Sequence, residues 1–398
     1  MSRHRTLGSA PMLPIRLLLL GVLCFLAPGC RLFGGLEIEP VAVSSSRSAQ
    51  VAVFASVTDS GEGVKGLAES NFDVEEDGIP LDRQQIKLQL LPRDGVVEHH
   101  LLVLVDLSGP VEAPGTRSLL ARQVSEFVGR VTTYYSVSLY GFDGSEKLTP
   151  LGTFRKQANP TAPGLDRLAS VPQKDPSSNL HGAMVTGLNQ LTATLAASSA
   201  PIGLGSMLVI ARGPDLAGRT SHDSVLEAIN DSPHRVLALT AGTWADPDEA
   251  EALGPHGHET AARFEIIEAP LSELARALEE DYARYYLLSY CSPARAGSRS
   301  LLVRVRHHDD EGKPTEAQAY SEFDASGFTG RCNASAPPRF SRMRTGGRVT
   351  TSSAGATKGA AASQSAANPD STNSDQPEQA PAVEEEPIAP PPNSNYAQ

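Results

Sequence analysis

Apolar residues change their spacing along this chain, and each change predicts a different kind of element. Over residues 49–92 they alternate. Val51, Val53 and Ala55 lead to a turn at Asp59-Ser60-Gly61, Phe72 and Val74 lead to a second turn at Glu76-Asp77-Gly78, and Ile86, Leu88 and Leu90 alternate again. A period of two broken by Asp and Gly predicts a small antiparallel β unit over residues 49–95. From residue 99 to 291 the pattern differs. Leu101–Val105 is an unbroken apolar run, as expected of a parallel strand covered on both faces. Leu120, Val124, Phe127, Val128 and Val131 follow at helical spacing, then a strand through Val137, Leu139 and Phe142. A helix at Leu180, Met184, Gly187, Leu188 and Leu191 precedes a strand at Met207–Ile210, a helix at Val225–Ile229 and a strand at Val236–Leu239. Leu271, Leu274, Leu278 and Tyr282 form a last helix before the strand Tyr286–Tyr290. Alternation of this kind predicts an α/β fold with a doubly wound, mostly parallel sheet. Leu301, Val303 and Val305 add strands over 300–324, so the α/β domain with its C-terminal strands is expected over 96–330.

The two ends read differently. Arg3, Arg5 and Arg16 precede the apolar run Leu17–Leu26, which is too short to span a bilayer as a helix and reads as a secretory signal. Ala27-Pro28-Gly29-Cys30 then resembles a bacterial lipobox, implying a signal peptide over 1–29 and lipidation at Cys30. An ordinary signal peptide cut elsewhere is the alternative. Arg31 after the cysteine suggests the outer membrane in a Gram-negative envelope, and residues 30–48 read as a linker. From about Asn333 the chain turns to Ala, Ser, Pro, Gln, Asn and Glu, so 333–398 is expected to be a disordered tail.

Composition narrows the function. The 398 residues carry a formal net charge of -12, which argues against a nucleic-acid partner. Four cysteines are too few for a disulfide-built scaffold. Cys24 leaves with the signal and Cys30 is assigned to lipid. Cys291 and Cys332 remain, in an oxidising compartment, as a bridge or as two free thiols.

The stretch Leu101–Val105 followed by Asp106-Leu107-Ser108-Gly109-Pro110 resembles the first strand and metal loop of a von Willebrand factor type A (VWA) domain. That family carries Asp-x-Ser-x-Ser there, completed by a threonine and an aspartate from later loops into a metal-ion-dependent adhesion site. Ser178-Asn179-Leu180 is similar to the threonine loop, and Met207–Ala211 followed by Arg212-Gly213 to the later strand. The unit at 57–78 is similar to a β-module found ahead of VWA domains in some bacterial proteins, and Leu274–Tyr290 resembles the last helix and strand of that group.

Against this resemblance the metal set is degenerate. Asp106 and Ser108 are present and Ser178 keeps a hydroxyl, but Pro110 lacks one and Arg212 stands where an aspartate is expected. No metal or other cofactor is therefore expected there. Arg212 would either pair with Asp106 or point to solvent while Asp106 caps its own turn, and Asp215 could swing in as a substitute ligand. His256-Gly257-His258-Glu259 lacks the spacing of a zinc peptidase and reads as solvated loop. His99-His100 and His307-His308-Asp309-Asp310 read as exposed polar ends, the latter at a hairpin turn. With no nucleophile elbow or phosphate loop, an enzyme is not expected. Two functions remain: a lipid-anchored envelope protein that binds a protein partner through the VWA-like domain, or a structural lipoprotein of a larger envelope assembly.

Overall fold

The computed structural model describes residues 35–109, 115–309 and 311–342. Cys30, Pro110 and the tail beyond residue 342 lie outside the described residues. The chain opens with β1 (Leu36–Ser45), β2 (Gln50–Asp59) and the short β3 (Glu62–Gly63). Next come β4 (Phe72–Glu76), β5 (Ile79–Pro80), α1 (Arg83–Ile86) and β6 (Gln89–Leu90). The alternating region runs through β7 (Val97–Asp106), α2 (Thr116–Val131), β8 (Ser136–Phe142), β9 (Thr149–Phe154), α3 (Asp166–Ser170) and α4 (Leu180–Ala197). It continues with β10 (Ile202–Ala211), α5 (His222–Asp231), β11 (Arg235–Ala241), α6 (Pro247–Ala252), β12 (His258–Ala261) and α7 (Glu268–Ala283). The strands β13 (Tyr285–Cys291), β14 (Ser298–His308) and β15 (Pro314–Asp324) follow. Among the described residues no helix is long and apolar enough to cross a membrane.

The α/β sheet has the order β12-β11-β10-β7-β8-β9, parallel except for the edge strand β9. The chain winds outward from β7 through β8 to β9, then returns to β10 and winds the other way. That reversal creates a topological switch point between β7 and β10, where open α/β sheets form a crevice at the carboxyl ends of their strands. The unbroken run in β7 is explained by its two covers. Leu101, Val103 and Val105 pack under α2 and α7, while Leu102 and Leu104 pack under α4.

The antiparallel unit expected over 49–95 is present, but its later strands come from the far end of the chain. In one sheet β2 lies between β1 and β13, with β6 beyond β13. In the other, β4 pairs with β14, which pairs with β15. The strand expected to close the α/β sheet, Tyr286–Tyr290, is therefore part of this antiparallel layer. Its apolar run matches a buried parallel strand because it too is covered on both faces. Tyr286, Leu288 and Tyr290 face the second antiparallel sheet, whereas Tyr285 and Leu287 meet Phe54, Val97 and Ile202 at the base of the α/β sheet.

Three more expectations are corrected. The linker expected over 30–48 contains β1, an edge strand whose Pro40 sits at a bulge against β2. The alternation at Ile86, Leu88 and Leu90 yields a helical turn capped by Asp82 and only two strand residues. The tail expected from residue 333 differs only in where it starts, since up to residue 342 the chain still packs, with Ala334 and Phe340 buried and Gln50 Nε2 donating to Ala336 O at 2.6 Å.

Candidate functional site

At the switch point β7 ends in Asp106, and β10 ends just before Arg212. Asp106 has no exposed surface. Its Oδ1 accepts from the Ser108 amide at 2.8 Å, and its Oδ2 accepts from the Arg212 amide at 3.1 Å and from Ser178 Oγ at 3.3 Å. Burial pushes this carboxyl up from its ordinary value, while the bonds from Ser108 and the Arg212 amide and the Arg212 charge pull the other way. Both oxygens thus have protein donors.

Arg212 bonds Asp106 through its backbone, whereas the sequence suggested a charge-assisted guanidinium pair or a solvent-facing side chain. The guanidinium lies over the Phe264 ring, 4.4 Å from its centroid. Gly109 makes room for it. At φ 94°, a Cβ on Gly109 would meet Arg212 Cδ at 2.9 Å, so this turn needs a residue with no side chain. Asp215 does not reach Asp106. Its Oδ2 accepts from the His181 amide at 2.9 Å and its Oδ1 from the Gly218 amide at 2.8 Å, so it caps the start of α4.

The surrounding loops are held by backbone bonds. The Gly109 amide donates to Pro176 O at 2.8 Å, and Leu216 and Ala217 both donate to Ser178 O at 2.9 Å. Asp143, at the end of β8, accepts from the amides of Ser145, Lys174 and Asp175, bonds that hold its carboxyl below the ordinary value against the effect of burial. On this ordered face Leu216 is 71% exposed and Ile266 54% exposed.

Cys291 and Cys332 form a disulfide with Cα atoms 5.7 Å apart. His99 and His100, expected at an exposed strand end, are both buried. His99 sits among the rings of Tyr135, Tyr282 and Tyr285, and His100 Nε2 is 2.9 Å from Ser138 Oγ. The loop read at 256–259 is partly strand. His258 in β12 lies 2.8 Å from Thr240 Oγ1, and exposed His256 accepts from the Val236 amide through Nδ1. His307 and His308 do end β14 at a hairpin turn through Gly312.

No protein-family model and no curated protein matches the chain. Among solved structures, it is similar to a von Willebrand factor type A protein from Catenulispora acidiphila, at 11% identity and a TM-score of 0.37 over 73% of each chain. The open conformation of the pilus adhesin SpaC from Lactobacillus rhamnosus GG matches at 12% identity and a TM-score of 0.35, over 73% of this chain and 48% of that one. Manganese-loaded TRAP protein from Plasmodium vivax matches at 13% identity and a TM-score of 0.34, over 60% of this chain and 97% of that one. Likeness at this level does not bear on function.

Proposed function

We propose that this chain is a lipid-anchored cell-envelope protein, not an enzyme, that binds a protein partner through the strand-end face of its α/β sheet without a divalent ion at Asp106. One observation carries the reading: both oxygens of Asp106 at the switch point are taken up by Ser108, Ser178 and the Arg212 amide. A metal there would compete with these donors beside a fixed cation. Arg212 on Phe264, with Leu216 and Ile266 exposed nearby, gives the face the apolar and guanidinium character common at the centres of protein interfaces. Anchoring rests on the basic, apolar and Cys30 order at the N-terminus and is tested separately.

The test is co-purification from solubilised membranes after mild crosslinking. The expected result is a partner lost on Leu216→Asp and recovered equally with and without added Mg²⁺ or Mn²⁺. Calorimetric titration with those ions should show no site that depends on Asp106. A partner whose recovery requires either ion and vanishes with Asp106→Ala would overturn the reading. A stoichiometric complex indifferent to Leu216→Asp would instead favour the structural assembly role.

A further inference from the structure

A second cluster lies on the same end of the sheet. His181 stands in the first turn of α4, His222 begins α5 and Glu249 lies in α6, and their ligand atoms all fall within 4.8 Å of one another. The two rings are 5.4 Å apart between centroids, and His222 Nδ1 is 3.6 Å from Glu249 Oε1. That is too long for a hydrogen bond.

The buried histidine is prepared for a ligand. The His181 side chain is 6% exposed, and its Nδ1 is 3.2 Å from Thr220 O. A carbonyl can only accept, so this contact assigns a proton to Nδ1 and leaves Nε2 as the nitrogen to offer a ligand. Nε2 is buried with no hydrogen-bond partner among the described residues, and so is Nδ1 of His222. Two buried ring nitrogens without partners beside a carboxylate are costly unless something fills the space between them. Asp215 stands 3.9 Å from His181 Nδ1, so the proton-bearing side of the ring faces a carbonyl and a carboxylate, the outer-shell arrangement that orients metal-binding histidines.

Access and charge fit a cation. A cleft of about 420 Å³ is lined, among the described residues, by His222, Asp246, Asp248 and Glu249, three carboxylates with no Lys or Arg. It reaches His222 and Glu249, the two partly exposed members of the cluster. Asp246 is occupied as the α6 cap, accepting from the Asp248 amide at 3.0 Å. Its charge adds to the negative potential of the cleft.

We infer that His181, His222 and Glu249 form a binding site for a first-row divalent transition-metal ion, with Zn²⁺ the best fit. Two imidazoles and one carboxylate suit Zn²⁺, leaving its fourth position for water in the cleft. Mg²⁺ and Ca²⁺ want oxygen and are disfavoured by two nitrogens. Tetrahedral ligand atoms at Zn²⁺ bond lengths stand about 3.3 Å apart. Closing from the present spacing takes side-chain rotation by His222 and Glu249, which are both partly exposed. The site is separate from the strand-end position around Asp106.

The test is calorimetric titration of Zn²⁺ into the full-length chain, detergent-solubilised and stripped with a chelator. The expected result is one ion per chain at about micromolar Kd or tighter, undisturbed by millimolar Mg²⁺, with Co²⁺ giving the visible absorption of a four-coordinate site. His222→Ala and Glu249→Ala change partly exposed side chains and should each weaken binding about tenfold or more. Their unliganded melting curves, compared with the wild type, exclude misfolding as the cause. Asp106→Asn should leave the Zn²⁺ titration unchanged. Absence of saturable Zn²⁺ binding would overturn the inference. Stoichiometric binding that survives His222→Ala, for instance at the His307-His308 hairpin, would overturn it too, as would binding abolished only by Asp106→Asn.

Discussion

A carboxylate shut off from water stays tolerable only if donors reach its oxygens, and Asp106 meets that demand with three donors from three segments. Asp106→Ala would strand the Ser108 and Arg212 amides, so we expect a loss of about 1–3 kcal/mol in urea denaturation. No loss would mean that the donors find other partners and that the loop is not built around this residue. Gly109→Ala should cost about 1–2 kcal/mol from its backbone conformation alone, and should also shift Arg212 off Phe264. The buried histidines predict a pH dependence. Burial lowers His100 and His234 to about 4, while the unfolded chain protonates histidine near 6.5. Between those values the unfolded state binds more protons. The stability from keeping these rings neutral is complete above about pH 6.5 and is lost as pH falls towards 4, by on the order of 3 kcal/mol per ring. Asp106 and Glu76, raised by burial, act in the opposite sense as they protonate. The clean readout is therefore a difference: His100→Gln should flatten the fall in urea midpoint between pH 6.5 and 4 relative to wild type. An identical slope would show that His100 does not contribute.

At the scale of elements, β2 and β13 join the antiparallel layer to the α/β sheet. Phe54 is fully buried and stacks on Tyr285 at 5.3 Å between centroids, at the junction with Val97 and Ile202. Phe54→Ala should cost about 3–5 kcal/mol, and the antiparallel and α/β layers should still unfold in one transition. Two separated transitions, followed by near- and far-ultraviolet circular dichroism, would contradict a shared core. Sequence periodicity reaches this level unevenly. The run Leu101–Val105 and the helical spacing from Leu120 to Val131 announce their elements, because each is buried in a regular way. Tyr286–Tyr290 announces a strand but not its sheet, since burial on both faces leaves the same trace in a parallel centre and in a layer between two cores. β1 is hidden by Glu37, Glu39 and Pro40, residues that an edge strand with a bulge tolerates and a local pattern reads as linker. The positions of Asp106, Ser178 and Arg212 were legible from their order along the chain. That the amide of Arg212, not its guanidinium, would reach Asp106 depends on Phe264 and Gly109, which no spacing reveals. His181, His222 and Glu249 come from three helices and meet only in the fold.

For the molecule as a whole, the Cys291–Cys332 bridge closes a loop with a sequence separation of 41 and ties the end of β13 to the segment that buries Ala334 and Phe340. Replacing both cysteines with serine should lower stability by about 3–4 kcal/mol on the chain-entropy account. Non-reducing peptide mapping of protein from the envelope should recover the linked pair, and two free thiols would contradict it. Lipidation at Cys30 is checked by fatty-acid labelling, which should mark the wild type and not Cys30→Ala. The pairing of β2 with β13 also sets a timetable. Ser56 lies opposite Tyr285, so the first half of this ladder is made long before the second. At ordinary rates of synthesis β2 waits roughly 10–50 seconds for its partner, with Val53, Phe54 and Ala55 uncovered. Until then the antiparallel layer cannot close, and the α/β core lacks α7 until just before β13 is made. A chain arrested before residue 285 should leave β2 open to protease and to self-association, and one released past residue 324 should not. Building the base from both ends therefore costs time, during which β2 lacks its central partner.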